Sequence, residues 1–244
     1  MANIVIVGAT SAIAQATARL LCDKKPSFLL VGRNRERLDQ LAEDLRVRGA
    51  HSVFVQVAAF DEIQNSDNVL QVAISQMGTV DKILIAHGIL PDQTEVEKNA
   101  IQLQTLFTIN CVNTILLIRE FAAFFEGQGT GTLAVITSVA GDRGRPSNFA
   151  YGASKKAVSM YLEGLASRLQ GTTISVIDIK PGLVDTPMTT LLDKRGLFWS
   201  TSTRVAKDIV RALDKTSGVV YTPWFWRHIM HIVRYLPRFV IRRM

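Results

Sequence analysis

Three side chains near the middle of the chain have the types and spacing that proton transfer requires. Ser138 ends an apolar run that predicts a strand, and Tyr151 and Lys155 follow on a predicted helix. Positions i and i+4 of a helix lie one above the other on the same face. At about 6 Å and an effective dielectric near 20, an ammonium favours a phenolate by roughly 3 kcal/mol, or about 2 pKa units. We therefore expect Lys155 to lower the pKa of Tyr151, which would act as a general acid or base on an oxygen held by Ser138.

The length and composition of the chain indicate how many domains it has and in which compartment it works. A chain of 244 residues suits one α/β domain, and no linker or internal repeat divides it. Cys22 and Cys111 lack disulfide or metal spacing, which favours a reducing, cytoplasmic compartment, and no histidine cluster predicts a metal site. No run reaches about 18 uncharged apolar residues, so we predict no membrane-spanning helix.

A turn close to the N-terminus has the pattern of a dinucleotide site. An apolar strand at residues 4–7 runs into Gly8, and a helix rich in alanine and leucine follows. Such a turn directs backbone N–H groups and a helix N-terminus toward a pyrophosphate. The residues assigned to this contact are Gly8, Thr10, Ser11, Ala12 and Ile13.

With this turn, the chain resembles the short-chain dehydrogenase/reductase family. The family turn contains Gly-x-x-x-Gly-x-Gly, of which this chain keeps Gly8 and has Ala12 and Ala14 in the other two places. Ser138, Tyr151 and Lys155 match the catalytic residues of the family. The resemblance implies a Rossmann-type doubly wound parallel sheet in a single α/β domain, with the site at the carboxyl ends of the strands.

The end of the second predicted strand bears on the choice of cofactor. Family members that use NAD place a carboxylate here for the ribose 2′-hydroxyl, whereas an arginine accommodates a 2′-phosphate. No acid lies between Lys24 and Arg35, so we predict NADP(H), with Arg33 on the phosphate and Asn34 beside it. The alternative is an exposed arginine that merely opens a helix. Ala58 follows the third strand where the family commonly has an adenine-binding aspartate, so no adenine contact is predicted there.

The resemblance implies further site residues along the chain. Asn110 matches a helix asparagine that is thought to hold a water linking the catalytic lysine to solvent, although it could be a hydrogen-bonded structural residue. The Pro-Gly turn after the sixth strand would approach the nicotinamide carboxamide. The cofactor contacts implied beyond the first turn and Arg33 are Ala86, Gly88, Tyr151, Lys155, Pro181, Gly182, Val184 and Thr186.

Two apolar segments bear on the substrate and the partners. Residues 187–203 occupy the place of a substrate lid and contain Leu191, Leu192, Leu197, Phe198 and Trp199, which would suit a hydrophobic substrate or would cover core or a subunit contact. Residues 223–244 form a predicted basic amphipathic tail after a domain at 1–222. At roughly 100° per residue, Arg227, His231, Arg234 and Arg238 share one face, and Pro237 interrupts the helix. This tail could lie in a membrane interface, dock on a partner subunit, or bind nucleic acid, which nothing else in the chain supports.

Together these features predict an NADP(H)-dependent oxidoreductase that interconverts a carbonyl and a secondary alcohol, as a homo-oligomer. The first turn and the tail are similar to reductases of a keto-sugar carried on polyprenyl phosphate. That similarity implies a hydrophobic or lipid-linked substrate, with Arg143 or Arg145 at its phosphate and the protein at the inner face of the membrane. The alternative is a non-catalytic NADP(H)-binding sensor or scaffold, which the altered glycine turn favours and the Ser-Tyr-Lys set opposes.

Overall fold

A computed structural model describes residues 1–61, 68–190, 196, 198–215 and 217–242. Strands and helices alternate along these ranges. The strands are β1 Asn3–Val7, β2 Ser27–Gly32, β3 Ser52–Val57, β4 Lys82–Ile85, β5 Gly131–Ile136, β6 Ile174–Pro181, β7 Val184–Asp185, β8 Ser200–Thr201 and β9 Gly218–Thr222. The helices are α1 Ala12–Leu21, α2 Arg35–Val47, α3 Val69–Met77, α4 Gln93–Lys98, α5 Ala100–Phe107, α6 Asn113–Gln128, α7 Phe149–Arg168, α8 Ser202–Lys215, α9 Trp226–Tyr235 and α10 Arg238–Ile241.

Within the described residues, seven strands form one parallel sheet in the order β3-β2-β1-β4-β5-β6-β9. The chain winds outward from β1 in one direction and returns to the other side of β1 at β4. The strand order therefore reverses between β1 and β4, the place where open parallel sheets bind ligands at their carboxyl ends. The predicted doubly wound α/β fold is confirmed.

Both faces of the sheet are buried because helices cover each of them. Along β1, Ile4 and Ile6 belong to one core cluster, while Val5 and Val7 belong to the other. The first cluster is completed by α1, α2 and α8, and the second by α3, α6 and α7. Alternate residues of a strand point to opposite faces, so a strand covered on both sides is apolar at every position.

The longest helical stretch belongs to the core. Ala100–Gln128 is long and apolar enough to cross a membrane by length and composition alone. Here Leu117, Phe121 and Phe125 are fully buried against the sheet. The stretch also contains a π-helical segment, Thr108–Val112, between α5 and α6. Such segments frequently occur at functional sites.

Several elements differ from the sequence prediction. The last strand of the sheet, β9, is not predicted, and neither is the short pair in which Val184 lies opposite Ser200. This pair ties together the two ends of the predicted lid at 187–203. Phe198 packs on Phe225 and Trp226, with ring centroids 6.2 and 6.0 Å apart. The lid residues Leu191, Leu192 and Leu197 lie outside the described residues.

The C-terminal tail packs on its own domain, which is an arrangement that the sequence analysis does not consider. Pro237 does separate α9 from α10, as predicted. Trp226, Met230 and Val233 are nevertheless buried, and they form a core cluster with Val139 and neighbouring apolar residues. The residues predicted for the apolar side of the tail are Ile229, Ile232, Val233, Leu236 and Val240. This prediction is wrong for Ile232, which is 63% exposed.

Candidate active site

Ser138, Tyr151 and Lys155 meet at the carboxyl end of β5. Ser138 follows β5 in extended conformation, and its Oγ accepts a hydrogen bond from the Ala140 N–H at 3.1 Å. Tyr151 and Lys155 lie on the same face of α7, with Lys155 Nζ 5.9 Å from the centroid of the tyrosine ring. Lys155 is buried, and Nζ donates to the carbonyl of Ile136 at 3.3 Å. The helix spacing therefore produces the arrangement that the sequence predicts.

The pKa of Tyr151 differs from the prediction. Burial raises it to about 12, and a hydrogen bond with Ser138 offsets only part of that effect. Burial also lowers the pKa of Lys155 to about 8, against the opposing influence of Asp178 and Cys111. The predicted lowering of the Tyr151 pKa is thus wrong, because desolvation disfavours both the phenolate and the ammonium that would stabilise it.

Asn110 lies in the π-helical segment and holds the chain that leaves β4. Its Oδ1 accepts from the Ile89 N–H at 2.8 Å, and its Nδ2 donates to the Ile89 carbonyl at 2.8 Å and to Ser154 Oγ at 3.4 Å. The side chain is fully buried and does not line the cavity. Its contacts fix the position of residues 86–89 beside Lys155.

A cavity of about 370 Å³ joins the catalytic residues to the first turn. The predicted residues that line it are Gly8, Thr10, Ser11, Ala12, Ile13, Arg33, Ala86, Gly88, Ser138, Arg145, Tyr151, Lys155, Pro181, Gly182, Val184 and Thr186. Asn34 is an exception, because its Oδ1 accepts from the Arg37 N–H and thereby caps α2. Arg143 also lies outside this cavity and donates to the Leu236 carbonyl. The cavity wall includes Ala58, where no contact is predicted.

The first turn explains which glycine is retained. Gly8 has a φ of +75°, and a Cβ there would lie 2.5 Å from the backbone nitrogen of His87. Both the conformation and the close approach to the end of β4 therefore require glycine. Ser11 caps α1 by accepting from the Ala14 N–H at 3.2 Å. Ala12 is the first residue of α1 and lines the cavity.

Several residues of the cavity wall are not predicted from the sequence. They include Arg37, Phe60, Asp61, His87, Asn148 and Trp226. His87 stacks on Phe60 at 4.6 Å between centroids, and burial, with the charge of Lys155, lowers its pKa to about 3. It is therefore neutral. Trp226 lies directly over Gly182, where a Cβ would come within 1.8 Å of Nε1. Arg37 comes four residues after Arg33, so a second arginine close to the end of β2 is visible in the sequence.

A buried ionic network connects the tail to the strand ends near the site. The fully buried Asp142 carboxylate lies 2.7 Å from Lys180 Nζ and 3.0 Å from Arg234, and it accepts from the Tyr221 hydroxyl at 2.6 Å. Burial alone would raise the pKa of Asp142, but these partners hold it below its usual value. Lys180 is also 3.5 Å from Asp178, whose charge raises the pKa of Lys155. The network thus joins α9 to the surroundings of the catalytic lysine.

Comparisons with known proteins agree with this fold and site. The family model described as short chain dehydrogenase matches residues 2–195. An uncharacterized oxidoreductase of Mycobacterium tuberculosis is 33% identical over 243 residues, covering 100% of this chain and 97% of the relative. One from Streptomyces coelicolor is 32% identical, covering 99% of this chain and 95% of the relative.

Solved structures match the fold at lower identity. A 7beta-hydroxysteroid dehydrogenase has a TM-score of 0.84 at 19% identity, covering 96% of this chain and 92% of its own. The actinorhodin polyketide ketoreductase with NADPH has a TM-score of 0.79 at 19% identity, covering 90% and 95%. The chain belongs to the short-chain dehydrogenase family. It is accordingly an oxidoreductase of the class that interconverts carbonyl and alcohol groups with a nicotinamide cofactor.

Proposed function

We propose that the protein is an NADP(H)-dependent oxidoreductase that reduces a hydrophobic or lipid-linked ketone. The observation that carries this proposal is one cavity bordered by Ser138, Tyr151 and Lys155 on one side and by the first turn on the other. The backbone around Gly8 and the capped start of α1 fit a dinucleotide pyrophosphate. The cofactor supplies the hydride when it is bound there.

The protein's own residues would carry the proton and orient the substrate. Ser138 Oγ is placed to hold the carbonyl oxygen, and the Tyr151 hydroxyl, protonated at neutral pH, is placed to donate to it. The charge of Lys155 then favours the phenolate left behind, because an opposite charge nearby stabilises it. Asn110 keeps the β4 exit in position through its bonds to Ile89 and is the proposed holder of a relay water.

The cofactor preference is proposed from the end of β2. Arg33 and Arg37 both line the cavity, and the residues from Lys24 to Arg35 contain no acid that would hold a 2′-hydroxyl. We expect Arg33→Ala combined with Arg37→Ala to weaken NADPH binding by about tenfold or more, since charge-assisted bonds to a phosphate are lost. NADH binding should change little. The measurement is a fluorescence titration with each cofactor.

Arg35 provides the matched control for this experiment. It begins α2 between the two other arginines, but its Nε pairs with Asp39 at 2.8 Å and it does not line the cavity. Arg35→Ala should therefore leave the preference for NADPH intact. An unchanged ratio of NADPH to NADH affinity in the Arg33/Arg37 double variant would exclude the 2′-phosphate assignment.

The apolar part of the cavity supports a hydrophobic substrate. Leu90, Val139, Leu183, Met188 and Trp226 line it near the catalytic residues. With NADPH, we expect ketones on long alkyl or prenyl chains to be turned over with a higher kcat/KM than short water-soluble ketones. The gain should approach about 0.8 kcal/mol, or fourfold, for each additional buried methylene. Turnover confined to short ketones would contradict a lipid-linked substrate.

The alternative function is a sensor or scaffold that binds NADP(H) without turnover. The two alanines in the first turn are the feature that favours it. The assembled Ser138, Tyr151 and Lys155 oppose it, because a binding protein has no need of a proton donor at the cavity. The Tyr151 substitution considered in the Discussion separates the two functions.

We also propose that the exposed side of the tail contacts an anionic membrane from the cytoplasmic side. Tyr235 and Phe239 are 78% and 71% exposed, and Ile232 is exposed beside them. The exposed arginines of this side are Arg227, Arg238 and Arg242. Apolar side chains among cations suit the interface of a bilayer that contains acidic lipids.

The vesicle experiment that tests this proposal uses surface substitutions. Removing residues after Thr222 would also remove Trp226 and Met230 from the core, so a loss of binding would have two causes. Replacing Ile232, Tyr235 and Phe239 together by Ser should instead reduce sedimentation with phosphatidylglycerol vesicles by at least about tenfold. Val47→Ser, at an 80% exposed position on α2, is the control. Undiminished binding of the triple variant would exclude this surface.

Self-association is proposed on separate grounds. Exposed apolar side chains occur on α7 at Phe149, Met160 and Tyr161, and on α5 at Ile101. Large exposed apolar groups on neighbouring helices are typical of subunit contacts. A homo-oligomer is therefore the proposed state of the protein.

A further inference from the structure

One wall of the cavity is formed by the start of α9 and by the loop between Asp142 and α7. Three polar atoms are buried there without a hydrogen-bond partner in the part of the chain that the structure describes. They are Arg145 Nε, Asn148 Oδ1 and Trp226 Nε1. All three side chains line the same cavity as Tyr151. Buried polar atoms are nearly always paired. Arg145 Nε and Trp226 Nε1 carry hydrogens to donate, so these two atoms indicate a ligand that accepts hydrogen bonds.

The charge of Arg145 defines the kind of ligand. Among the described residues its guanidinium has no carboxylate within 4 Å, and its Nη2 contacts only Met230 Sδ at 3.7 Å. Burial lowers the pKa of Arg145, and the charge of Asp142 opposes this shift. Asp142 is already surrounded by Lys180, Arg234 and Tyr221. Arg145 is half-buried, and the Asp142 charge near it is already shared by these three partners. A partly desolvated guanidinium favours an anion, and an anionic group of a ligand would supply one.

Trp226 supplies a second donor in a fixed position. Its side chain is 5% exposed, and the indole is held against Gly182, where a Cβ would overlap Nε1. The indole N–H can only donate a hydrogen bond. A donor next to a guanidinium suits an acceptor that carries negative charge, and arginine matches the planar geometry of carboxylates and the oxygens of phosphates.

We propose that the substrate has an anionic group, a phosphate ester or a carboxylate, bound by Arg145 and by Trp226 of the C-terminal tail. This inference rests on the proposed function. Of the two arginines predicted at a substrate phosphate, it selects Arg145, which lines the cavity, and it adds Trp226 as the second donor. It also gives the tail a role inside the cavity. The apolar residues of the cavity bind the body of the substrate, and the pair of donors orients it relative to Tyr151.

A set of three small probes tests the proposal by binding alone. Octyl phosphate, octanol and inorganic phosphate are titrated into the NADPH-saturated full chain by calorimetry. We expect octyl phosphate to bind at least about tenfold more tightly than octanol, because only the phosphate forms charge-assisted hydrogen bonds with the guanidinium. This comparison uses the unaltered protein. Equal affinities of octyl phosphate and octanol would overturn the proposal.

Substitutions then assign the difference to the two donors. Arg145→Met should remove the preference for octyl phosphate while octanol binds as before, and Arg145→Lys should retain part of it because it keeps the charge. Trp226→Phe should weaken octyl phosphate by about threefold to tenfold, since one neutral donor is lost. The controls are Arg143→Met and Trp224→Phe, which change an arginine outside the cavity and a tryptophan that is 64% exposed.

The remaining outcomes also decide the matter. Inorganic phosphate binding as tightly as octyl phosphate would assign the site to a free anion and overturn its assignment to the substrate. If Arg145→Met instead lost NADPH affinity and kept its preference for octyl phosphate, Arg145 would be a cofactor contact and its assignment to the substrate would be overturned. Absence of any ketone reduction would refute the proposed function, whereas these affinities would still establish the anion site.

Discussion

Tyr151→Phe is expected to lower kcat for ketone reduction by about 10²–10⁴-fold while NADPH affinity changes little. The substitution removes the hydroxyl that is placed to protonate the substrate oxygen, and positioned proton donors contribute rate factors of this size. It keeps the ring that packs beside Lys155, whose Nζ lies 5.9 Å from the ring centroid. The measurements are steady-state turnover with a long-chain ketone and a fluorescence titration with NADPH.

Tyr161 is the matched control on the same helix. It also belongs to α7, but it is 38% exposed and does not line the cavity. Tyr161→Phe should therefore leave both quantities unchanged. Equal turnover by the Tyr151→Phe variant and the unaltered protein would show that the phenol is not the proton donor. An unaltered protein that binds NADPH but reduces no ketone would favour the sensor function.

Local sequence patterns predict most of the fold because each strand and helix carries its own signal. The apolar run before Ser138 forms β5, and the helix predicted to carry Tyr151 and Lys155 is α7. The first strand differs by a single residue at its start. Apolar strands that alternate with amphipathic helices favour a parallel sheet covered by helices.

The same reasoning predicts the catalytic set because its members are close in sequence. Tyr151 and Lys155 are on one helix, and Ser138 ends the strand that leads into that helix. Their convergence follows from the helix period and from the position of strand ends. The pKa of Tyr151 does not follow, because it depends on how deeply the whole fold buries the phenol. Spacing gives the distance to Lys155 but no information on desolvation.

The features of the fold and the site that could not be predicted from the sequence are contacts between segments far apart in the chain. Trp226 reaches the cavity only because β9 pairs with β6 and brings the tail to the strand ends. The pattern of residues 224–241 has a basic and an apolar side, and such a helix suits a membrane, a partner or its own domain equally well. What decides between them is Asp142, an acid far away in sequence that pairs with Arg234.

Asp142→Ala is accordingly expected to be among the most destabilising substitutions in the chain. The fully buried carboxylate contacts Lys180, Arg234 and the Tyr221 hydroxyl. Its removal leaves the buried Lys180 ammonium with Asp178, 3.5 Å away, as its remaining carboxylate among the described residues. Removing one partner of a buried pair costs about 3–5 kcal/mol of the free energy of unfolding. For a chain of this size, that is a fall in Tm on the order of 10 °C. Thermal and urea unfolding measure both quantities.

Asp44→Ala is the control that distinguishes the effect of burial from that of charge pairing. Asp44 also contacts two cations, Arg19 at 2.6 Å and Arg48 at 2.7 Å, but its side chain is 29% exposed. Asp44→Ala should cost only about 0–1 kcal/mol because solvent screens exposed pairs. Equal losses for the two variants would mean that Asp142 stabilises the protein no more than a surface carboxylate does. A larger loss at Asp142 would show that the buried network of Asp142 with Lys180, Tyr221 and Arg234, to which α9 belongs, stabilises the fold that places Trp226 at the catalytic cavity.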